Sequence, residues 1–369
     1  MEKIKLTIDG RMVEVPPGVT VLEAAQSSDI YIPTLCDHPD LEPYGGCRLC
    51  MVEIEKMRGL PTACTTPATD GMIVHTDSPD IKWLRQMVLQ EILSDHPSEC
   101  LVCNRRERCG PNDTCLRSVA VEDRCVTCSR NGQCELQTVV DRVGITELLL
   151  PHSDRVYPVD ESNPFFDLDR NKCILCARCV RTCNEITCVG AIELVSRSFE
   201  TRVGTASDKP LFESVCQSCG ECVVRCPTGA LAPRKCERPA EEVLTTCPYC
   251  GVGCGIYLGT RDGQVVSVRG DSDNPASKGR LCVKGRFGVQ DFIQHPDRLK
   301  NPLIRRNGKL TEATWDEALD LITRKLADYR GDKVAVVSSA RSTNEDNYII
   351  QKFTRAVLGT NNIDHCARL

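Results

Sequence analysis

The sequence predicts a multidomain α+β chain, and three observations carry that prediction. The first residues alternate apolar and polar as strands do, the middle is punctuated by cysteines at short regular spacings, and the end has the longer periodicities of strand followed by helix. A chain of 369 residues has room for roughly two to four domains. Cysteine is 26 of 369 residues, and in so long a chain that density is the wrong class for a small disulfide-stapled secreted scaffold. The net charge of −5 arises from interspersed charges and argues against nucleic-acid binding. No apolar run approaches the roughly 18 residues that a membrane span needs. The opening MEKIKLTIDG has neither an apolar signal core nor a twin arginine, so the expectation is a cytoplasmic protein whose thiols stay reduced and free for metal. With 4% aromatic residues the apolar cores should be modest, and bound metal would then supply much of the folding free energy.

Residues 1–78 read as a β-rich module. Ile4, Leu6 and Ile8 alternate, Asp9-Gly10 makes a hairpin turn, and Val13 and Val15 resume the alternation. Thr20 and Glu23 form a capping box for a short helix. Cys36, Cys47, Cys50 and Cys64 follow, with Gly45 and Gly46 placed where backbone N–H groups could turn toward sulfur. Hairpin, helix and cysteine loop resemble the order of a plant-type, β-grasp ferredoxin holding a [2Fe–2S] cluster. The first gap is ten residues instead of four, a departure similar to the variant in the large iron–sulfur subunit of respiratory complex I and in soluble formate dehydrogenases. A zinc ribbon is the bland alternative, and the irregular outer spacings argue against it.

Residues 79–140 begin with a helix over 80–95 whose Ile81, Leu84, Met87, Val88 and Ile92 share a face. His96-x3-Cys100-x2-Cys103-x5-Cys109 comes next, then Cys115, then the same tripod again as Cys125-x2-Cys128-x5-Cys134, followed by Glu135-Leu136-Gln137. One histidine and seven cysteines make eight ligands, enough for two four-ligand sites. The adopted assignment gives His96, Cys100, Cys103 and Cys109 one [4Fe–4S] cluster and leaves Cys115, Cys125, Cys128 and Cys134 for a further one. Exchange of His96 with Cys115 is the open alternative, as are one cluster plus a zinc, or a copy without metal. A neutral imidazole in place of a thiolate removes one negative charge and should raise the reduction potential.

Residues 141–240 open on a polar connection broken by Pro151, Pro158 and Pro164. Two runs of the bacterial ferredoxin pattern follow, Cys173-x2-Cys176-x2-Cys179-x3-Cys183 and Cys216-x2-Cys219-x2-Cys222-x3-Cys226-Pro227. Three thiolates on a short loop grip one cubane, and the fourth, expected to start a helix, serves the other. Cys173, Cys176, Cys179 and Cys226 are therefore assigned to one [4Fe–4S] centre, and Cys183, Cys216, Cys219 and Cys222 to its neighbour. Cys188 and Cys236 read as small hydrophobes outside the ligand sets.

Residues 241–300 carry Cys247-x2-Cys250-x3-Cys254 and, 27 residues on, Cys282, followed by Val283-Lys284-Gly285-Arg286. This spacing resembles the N-terminal [4Fe–4S] domain of molybdopterin oxidoreductases. The resemblance implies that Lys284 is an electron relay between cluster and pterin. Gly251, Gly253 and Gly255 let the backbone turn tightly around the ligands. Residues 301–369 read as the beginning of a pterin-binding α/β domain. They comprise an amphipathic helix from Trp315, a buried parallel-type strand at Lys333–Ser339, a helix over 344–358, and no glycine-rich phosphate fingerprint.

Taken together, the chain resembles the N-terminal part of the catalytic subunit of a cytoplasmic molybdenum or tungsten formate dehydrogenase with a complex-I-like iron–sulfur arm. That resemblance implies one [2Fe–2S] cluster, four or five [4Fe–4S] clusters and a bis-pterin guanine dinucleotide in the full-length protein. It implies electrons from formate passing by way of Lys284 and the clusters to flavin- or NAD(P)-binding diaphorase-type subunits, with ferredoxin or hydrogenase subunits as other partners. The segment Leu358–Leu369, with His365 and Cys366, is similar to the one that immediately precedes the metal-ligating selenocysteine or cysteine. The expectation is therefore a chain cut at a selenocysteine codon after Leu369, with no catalytic residue of its own and His365 and Cys366 only as neighbours of the reacting centre. The rival readings are the iron–sulfur subunit of a complex-I-like NADH dehydrogenase or electron-bifurcating hydrogenase, and a stand-alone electron-wiring protein.

Overall fold

Asp9 and Gly10 both take positive φ (48° and 78°), the left-handed pair that a two-residue hairpin turn requires. They join β1 (Ile4–Ile8) to β2 (Arg11–Val15) in an antiparallel register that sets Ile4 opposite Val15 and Ile8 opposite Arg11. The computed structural model describes residues 3–153, 155–235 and 237–367. Cys236 and the last two residues, Arg368 and Leu369, on which sequence expectations fall, lie outside them.

Thr20 caps α1 (Val21–Gln26), with Glu23 closing the reciprocal bond of the capping box. β3 (Glu53–Ile54) and β4 (Ile73–His75) complete a mixed sheet of order β2-β1-β4-β3, in which β1 and β4 run parallel. The alternation puts Leu6, Ile8, Val13 and Val15 on the covered face, against Val21, Leu22 and Ala25 of α1. Cys50 and Cys64 belong to this same buried cluster, so the sheet and helix directly position two of the expected ligands.

Helix α2 (Pro79–Ser94), capped by Ser78, buries Ile81, Arg85, Leu89, Gln90 and Leu93. The face expected from periodicity is a different one: of its five members only Ile81 is buried, while Leu84, Met87, Val88 and Ile92 are half-buried. The reason is polar. The Arg85 guanidinium, placed on the inner face, donates to the carbonyls of Leu49, Met51 and Thr76 at 2.8–2.9 Å and ties the ligand loop to the helix. Helix α3 (Glu135–Val143) starts directly after Cys134, crosses the expected boundary at 140, and ends on Gly144 in the left-handed region (φ 79°). Leu136, Val139 and Val140 of α3 join Leu89 and Leu93 of α2 and Leu35 and Leu49 of the first module in one apolar cluster.

The rest of this part of the chain is short elements. β5 (Phe166–Leu168) pairs with β8 (Leu231–Pro233), β6 (Glu193–Val195) pairs with β7 (Arg202–Gly204), and α4 (Arg178–Arg181) and α5 (Glu221–Arg225) each carry the third cysteine of a ferredoxin run, Cys179 and Cys222. Contrary to expectation, neither fourth cysteine opens a helix: Cys183 lies inside the helical stretch Thr182–Ile186 that continues α4, and Cys226 caps the end of α5. Residues Met1–Arg234 form one compact unit, so the first three sequence modules are a single body in the structure.

Lys235–Leu369 is the second unit. β9 (Glu241–Thr246), β10 (Gly255–Arg261) and β11 (Gln264–Gly270) form an antiparallel meander next to α6 (Val289–Ile293). β12 (Leu303–Arg306) and β13 (Lys309–Glu312) make a hairpin ahead of α7 (Trp315–Leu326). β14 (Val336–Ser338) pairs in parallel with β15 (Ile363–His365) across α8 (Asn344–Ala356). The strand at 333–339 is parallel, as expected, but it is shorter and not buried: Val337 is 80% exposed in a sheet of only two strands. No helix among the described residues is long and apolar enough to cross a membrane.

Arg85 allows a quantitative test. Its removal leaves three carbonyls without their donor, at about 1–3 kcal/mol for each that stays buried, whereas Thr20→Ala loses one cap worth ~1 kcal/mol. Arg85→Leu should therefore lower the thermal midpoint well beyond Thr20→Ala and speed the bleaching of the cluster absorbance on warming. Equal midpoints for the two variants would contradict the role given to Arg85.

Candidate metal centres

Five groups of donors gather within the first unit. Cys36, Cys50 and Cys64 are buried and Cys47 nearly so, with the Cys50 and Cys64 sulfurs 3.4 Å apart. The Cys47 amide donates to the Cys36 sulfur and the Leu35 amide to the Cys47 sulfur, each at 3.4 Å. Gly46 and Gly45 turn their N–H groups toward Cys36 and Cys64, as the paired glycines lead one to expect. The Cys47 sulfur, and then burial, push the Cys36 thiol up, while the bond from Cys36 holds Cys47 down at about 7.

The two ferredoxin runs interleave. One cavity is lined by Cys173, Cys176, Cys179 and Cys226, and another by Cys183, Cys216, Cys219 and Cys222. Burial, then the charges of their neighbours, push several of these thiols far up, among them Cys173 to about 12, and Cys179 and Cys222 well above the usual thiol range. The charges acting on Cys222 come chiefly from Cys219, Cys216 and Cys183, the other members of its own set. Four thiolates crowded in an apolar cavity repel one another, and bound iron would relieve both penalties at once.

The His/Cys region departs from the adopted partition. His96 lines one cavity with Cys125, Cys128 and Cys134, whereas Cys115 lines another with Cys100, Cys103, Cys109 and Cys125. The cavities thus follow the exchanged grouping, whereas proximity in sequence favours the adopted one, His96 being four residues from Cys100. The chain between His96 and Cys125 instead loops out and returns, so the histidine faces the tripod 29 positions on (125 minus 96). His96 is 8% exposed, its Nδ1 has no hydrogen-bond partner, and burial pulls the imidazole down to about 4. A buried, neutral imidazole with an orphaned nitrogen is the form in which histidine ligates metal.

Among the described residues no three His, Cys, Asp or Glu side chains converge closely enough for a single metal ion. The donors ring cavities instead, which suits a multi-iron cluster better than a mononuclear zinc site. Cys188, expected to pack as a small hydrophobe, is exposed and lines none of these cavities.

The sites also touch one another. Cys47, Cys125, Cys134 and Ile174 all pack against the apolar cluster shared by α2 and α3. The Glu135 amide donates to the Pro227 carbonyl at 2.9 Å, and the Glu135 carboxylate takes two bonds from buried Arg178 at 2.6 and 2.8 Å. Arg181 of α4 donates to the carbonyls of Cys36 and Glu42. Arg225 of α5 pairs with Asp40 at 2.5 Å. Gly229 carries no signal in the sequence, yet a Cβ there would lie 2.5 Å from the Cys128 sulfur.

In the second unit Cys247 is buried, Cys250 and Cys254 are half-buried and Cys282 is exposed. Cys250, Cys254 and Cys282 lie close enough for their charges to act on one another or on Cys247. The Cys247 amide donates to the Cys254 carbonyl at 2.8 Å, and Gly253 supplies the positive φ (70°) of the turn between them. Lys284 is exposed, two residues beyond Cys282, at the start of the helical turn Lys284–Gly288. The exposed Cys366 sulfur lies 3.7 Å from the Ser339 hydroxyl, and the Ala340 amide, then that hydroxyl, hold its thiol below the usual range.

Gly229→Ala has ordinary backbone freedom and would meet Lys172 only at an ordinary 3.5 Å, so its effect should come from the Cys128 clash. The expected result is a changed or lost paramagnetic signal from the His96 site with both ferredoxin-type signals retained; an unaltered spectrum would mean that Cys128 holds no cluster.

Comparison with known proteins follows the same divisions. Residues 1–79 match the family described as "2Fe-2S iron-sulfur cluster binding domain", and residues 122–148 match "NADH-ubiquinone oxidoreductase-G iron-sulfur binding region". Residues 163–232 match "NADH-quinone oxidoreductase subunit 3, ferredoxin-like domain". Residues 240–293 and 298–369 match "Molybdopterin oxidoreductase Fe4S4 domain" and "Molybdopterin oxidoreductase". Over 99% of its length the chain is 38% identical to an NADH-quinone oxidoreductase subunit of Rhizobium meliloti, covering 40% of that protein. It is 36% identical to the NADPH-Fe(3+) oxidoreductase subunit alpha of Geobacter sulfurreducens, again over 99% of the chain and 40% of the relative. A Staphylococcus haemolyticus protein named as a formate dehydrogenase is 31% identical over the whole chain, which covers 39% of it. The chain thus spans about 40% of the length of these curated relatives. The crystal structure of an NAD+-reducing [NiFe]-hydrogenase in the H2-reduced state superposes with a TM-score of 0.52 at 28% identity, over 63% of this chain and 87% of that one. The chain therefore carries a [2Fe–2S] domain, [4Fe–4S] regions and the start of a molybdopterin oxidoreductase domain, in the order expected from its sequence.

Proposed function

We propose that this chain is the iron–sulfur arm and the opening of the pterin-binding domain of a molybdenum or tungsten formate dehydrogenase, delivering electrons to a flavin- and NAD(P)-binding partner. The observation that carries this reading is the sequence of donor sets on one backbone, from a [2Fe–2S]-type head to a cluster domain of the molybdopterin type. When bound, the clusters supply one-electron carriage and the pterin-held metal supplies two-electron chemistry at carbon.

The chain's own residues do the rest. In the head, read as a β-grasp fold, Cys36, Cys47, Cys50 and Cys64 would hold the [2Fe–2S] cluster, with backbone amides moderating the charge on sulfur. His96, Cys125, Cys128 and Cys134 would hold a [4Fe–4S] cluster whose single neutral ligand makes it easier to reduce. Cys173, Cys176, Cys179 and Cys226, and Cys183, Cys216, Cys219 and Cys222, would hold the ferredoxin-type pair. Cys247, Cys250, Cys254 and Cys282 would hold the cluster nearest the pterin, with Lys284 as relay. Arg178, Arg181 and Arg225 fix the spacing of the first unit by binding across its modules.

A second reading has support of its own. The Rhizobium meliloti relative is named as an NADH-quinone oxidoreductase subunit, and two of the matched segments carry names of that kind. The two readings share the arm and differ in what reacts at its far end. The full-length protein, purified without oxygen together with its partner subunits, should reduce viologen dyes with formate and contain molybdenum or tungsten with pterin. Dye reduction with NAD(P)H but not with formate, in a preparation without pterin, would overturn the formate reading in favour of the second.

A further inference from the structure

We infer that the loop over residues 97–121 carries an additional cluster, a [4Fe–4S] site held by Cys100, Cys103, Cys109 and Cys115, beside the His96 site. It rests on the iron–sulfur reading of the arm but not on the identity of the substrate.

The first support is donor arithmetic. The cavity bounded by the loop is lined by five thiols, those of Cys100, Cys103, Cys109, Cys115 and Cys125, and the neighbouring cavity by His96, Cys125, Cys128 and Cys134. Cys125 borders both, and its sulfur is a hydrogen-bond neighbour of Cys100. Without Cys125 the His96 site would have three ligands; with it, the loop retains four of its own. Eight donors thus divide into two complete sets, one entirely thiolate and one with an imidazole. The segment with recognised iron–sulfur character, 122–148, contains the second tripod and not the loop.

Space agrees with this division. The open cavity beside the loop, about 420 Å³ with its mouth included, falls between the ≈ 490 and ≈ 340 Å³ of the two ferredoxin-type cavities, so it has no less room than they do.

The third support is what the loop lacks. Between residues 97 and 121 only Ser98 and Leu101 are buried, and the sole regular structure is a turn at Arg106–Arg108 and the start of another at Val121. A segment of this length with no α-helix or strand and almost no apolar burial does not hold itself together. Its protein contacts are polar straps. Arg106 donates to the Leu101 carbonyl at 3.1 Å, Arg124 to those of Asp113 and Val119 at 3.0 Å, and Arg117 to that of Val102 at 3.3 Å. These straps keep Cys103, Cys109 and Cys115 around one chamber, and a cluster would cross-link them through four bonds, which is the stabilisation that small metal-held loops use. The Val119 amide donates to the Cys115 sulfur at 3.3 Å, the kind of contact that cluster-bound thiolates accept.

The test uses the full-length protein, purified anaerobically, with Cys109→Ser and Cys115→Ser compared with Cys128→Ser. Each loop variant should lower bound iron and acid-labile sulfide by about four per chain, remove one set of electron paramagnetic resonance features, and keep the [2Fe–2S] signal as evidence of folding. Cys128→Ser should remove a different set. Unchanged iron in both loop variants, loss of zinc instead of iron, or loss of the same features in Cys115→Ser and Cys128→Ser would each overturn the assignment.

Discussion

Crowding of thiols is the constraint on which the first unit depends. Its cavities collect four or five donors each, and the most buried thiolates, such as those of Cys179 and Cys222, face both the penalty of burial and the charges of their companions. A protein sustains such a penalty only where something else restores the balance, and iron bound by all four sulfurs does so. The polypeptide's task is then to bring each donor to the right cavity wall. It does this with short elements: a hairpin and helix under Cys50 and Cys64, short helices that carry the third cysteine of each ferredoxin run, and arginine straps elsewhere.

What joins the cavities is helix α3. Its apolar face packs with α2 and with Leu35 and Leu49 of the first module, its first residue follows Cys134, and Glu135 binds both Pro227 and Arg178. Arg178 is almost wholly buried while Glu135 is half-exposed. A charge buried on one side of an ion pair is costly to abandon, so this contact should resist separation of the two cluster regions more firmly than a surface pair would. Arg181 and Arg225 make corresponding links from the ferredoxin helices to the 36–42 loop. The spacing of the donor sets is thus held by arginine side chains, and the charge of Arg178 also faces the Cys176 and Cys36 sulfurs.

Much of this is legible in the sequence because its signals are local. The Asp9-Gly10 turn, the Thr20/Glu23 box and the crossed pairing of two C-x2-C-x2-C-x3-C runs each follow from geometry over a few residues. The failures are equally informative. Apolar periodicity misses the buried face of α2 because Arg85, a charged residue, occupies an inner position to serve three carbonyls. The strand at Val336–Ser338 reads as buried from its apolar run, but burial depends on the layers around it. Spacing groups His96 with the nearer tripod because a spacing rule has no knowledge that a loop can depart and return.

That last case says something about how such an arm can be extended. A tripod of three cysteines needs only a fourth donor, and the donor need not be close in sequence. Because His96 faces Cys125, Cys128 and Cys134 across a gap, the chain between them is free to lengthen without disturbing that site, provided its two ends stay in place. Ser98, whose hydroxyl donates to the Leu93 and His96 carbonyls, holds one end, and Arg124, bonded to Val119 and Asp113, holds the other. Between those anchors the loop contributes four cysteines that have no duty in the His96 set. Loop closure grows costlier only slowly with length, so an insertion that brings its own metal ligands can be accommodated with little destabilisation of the core beneath it.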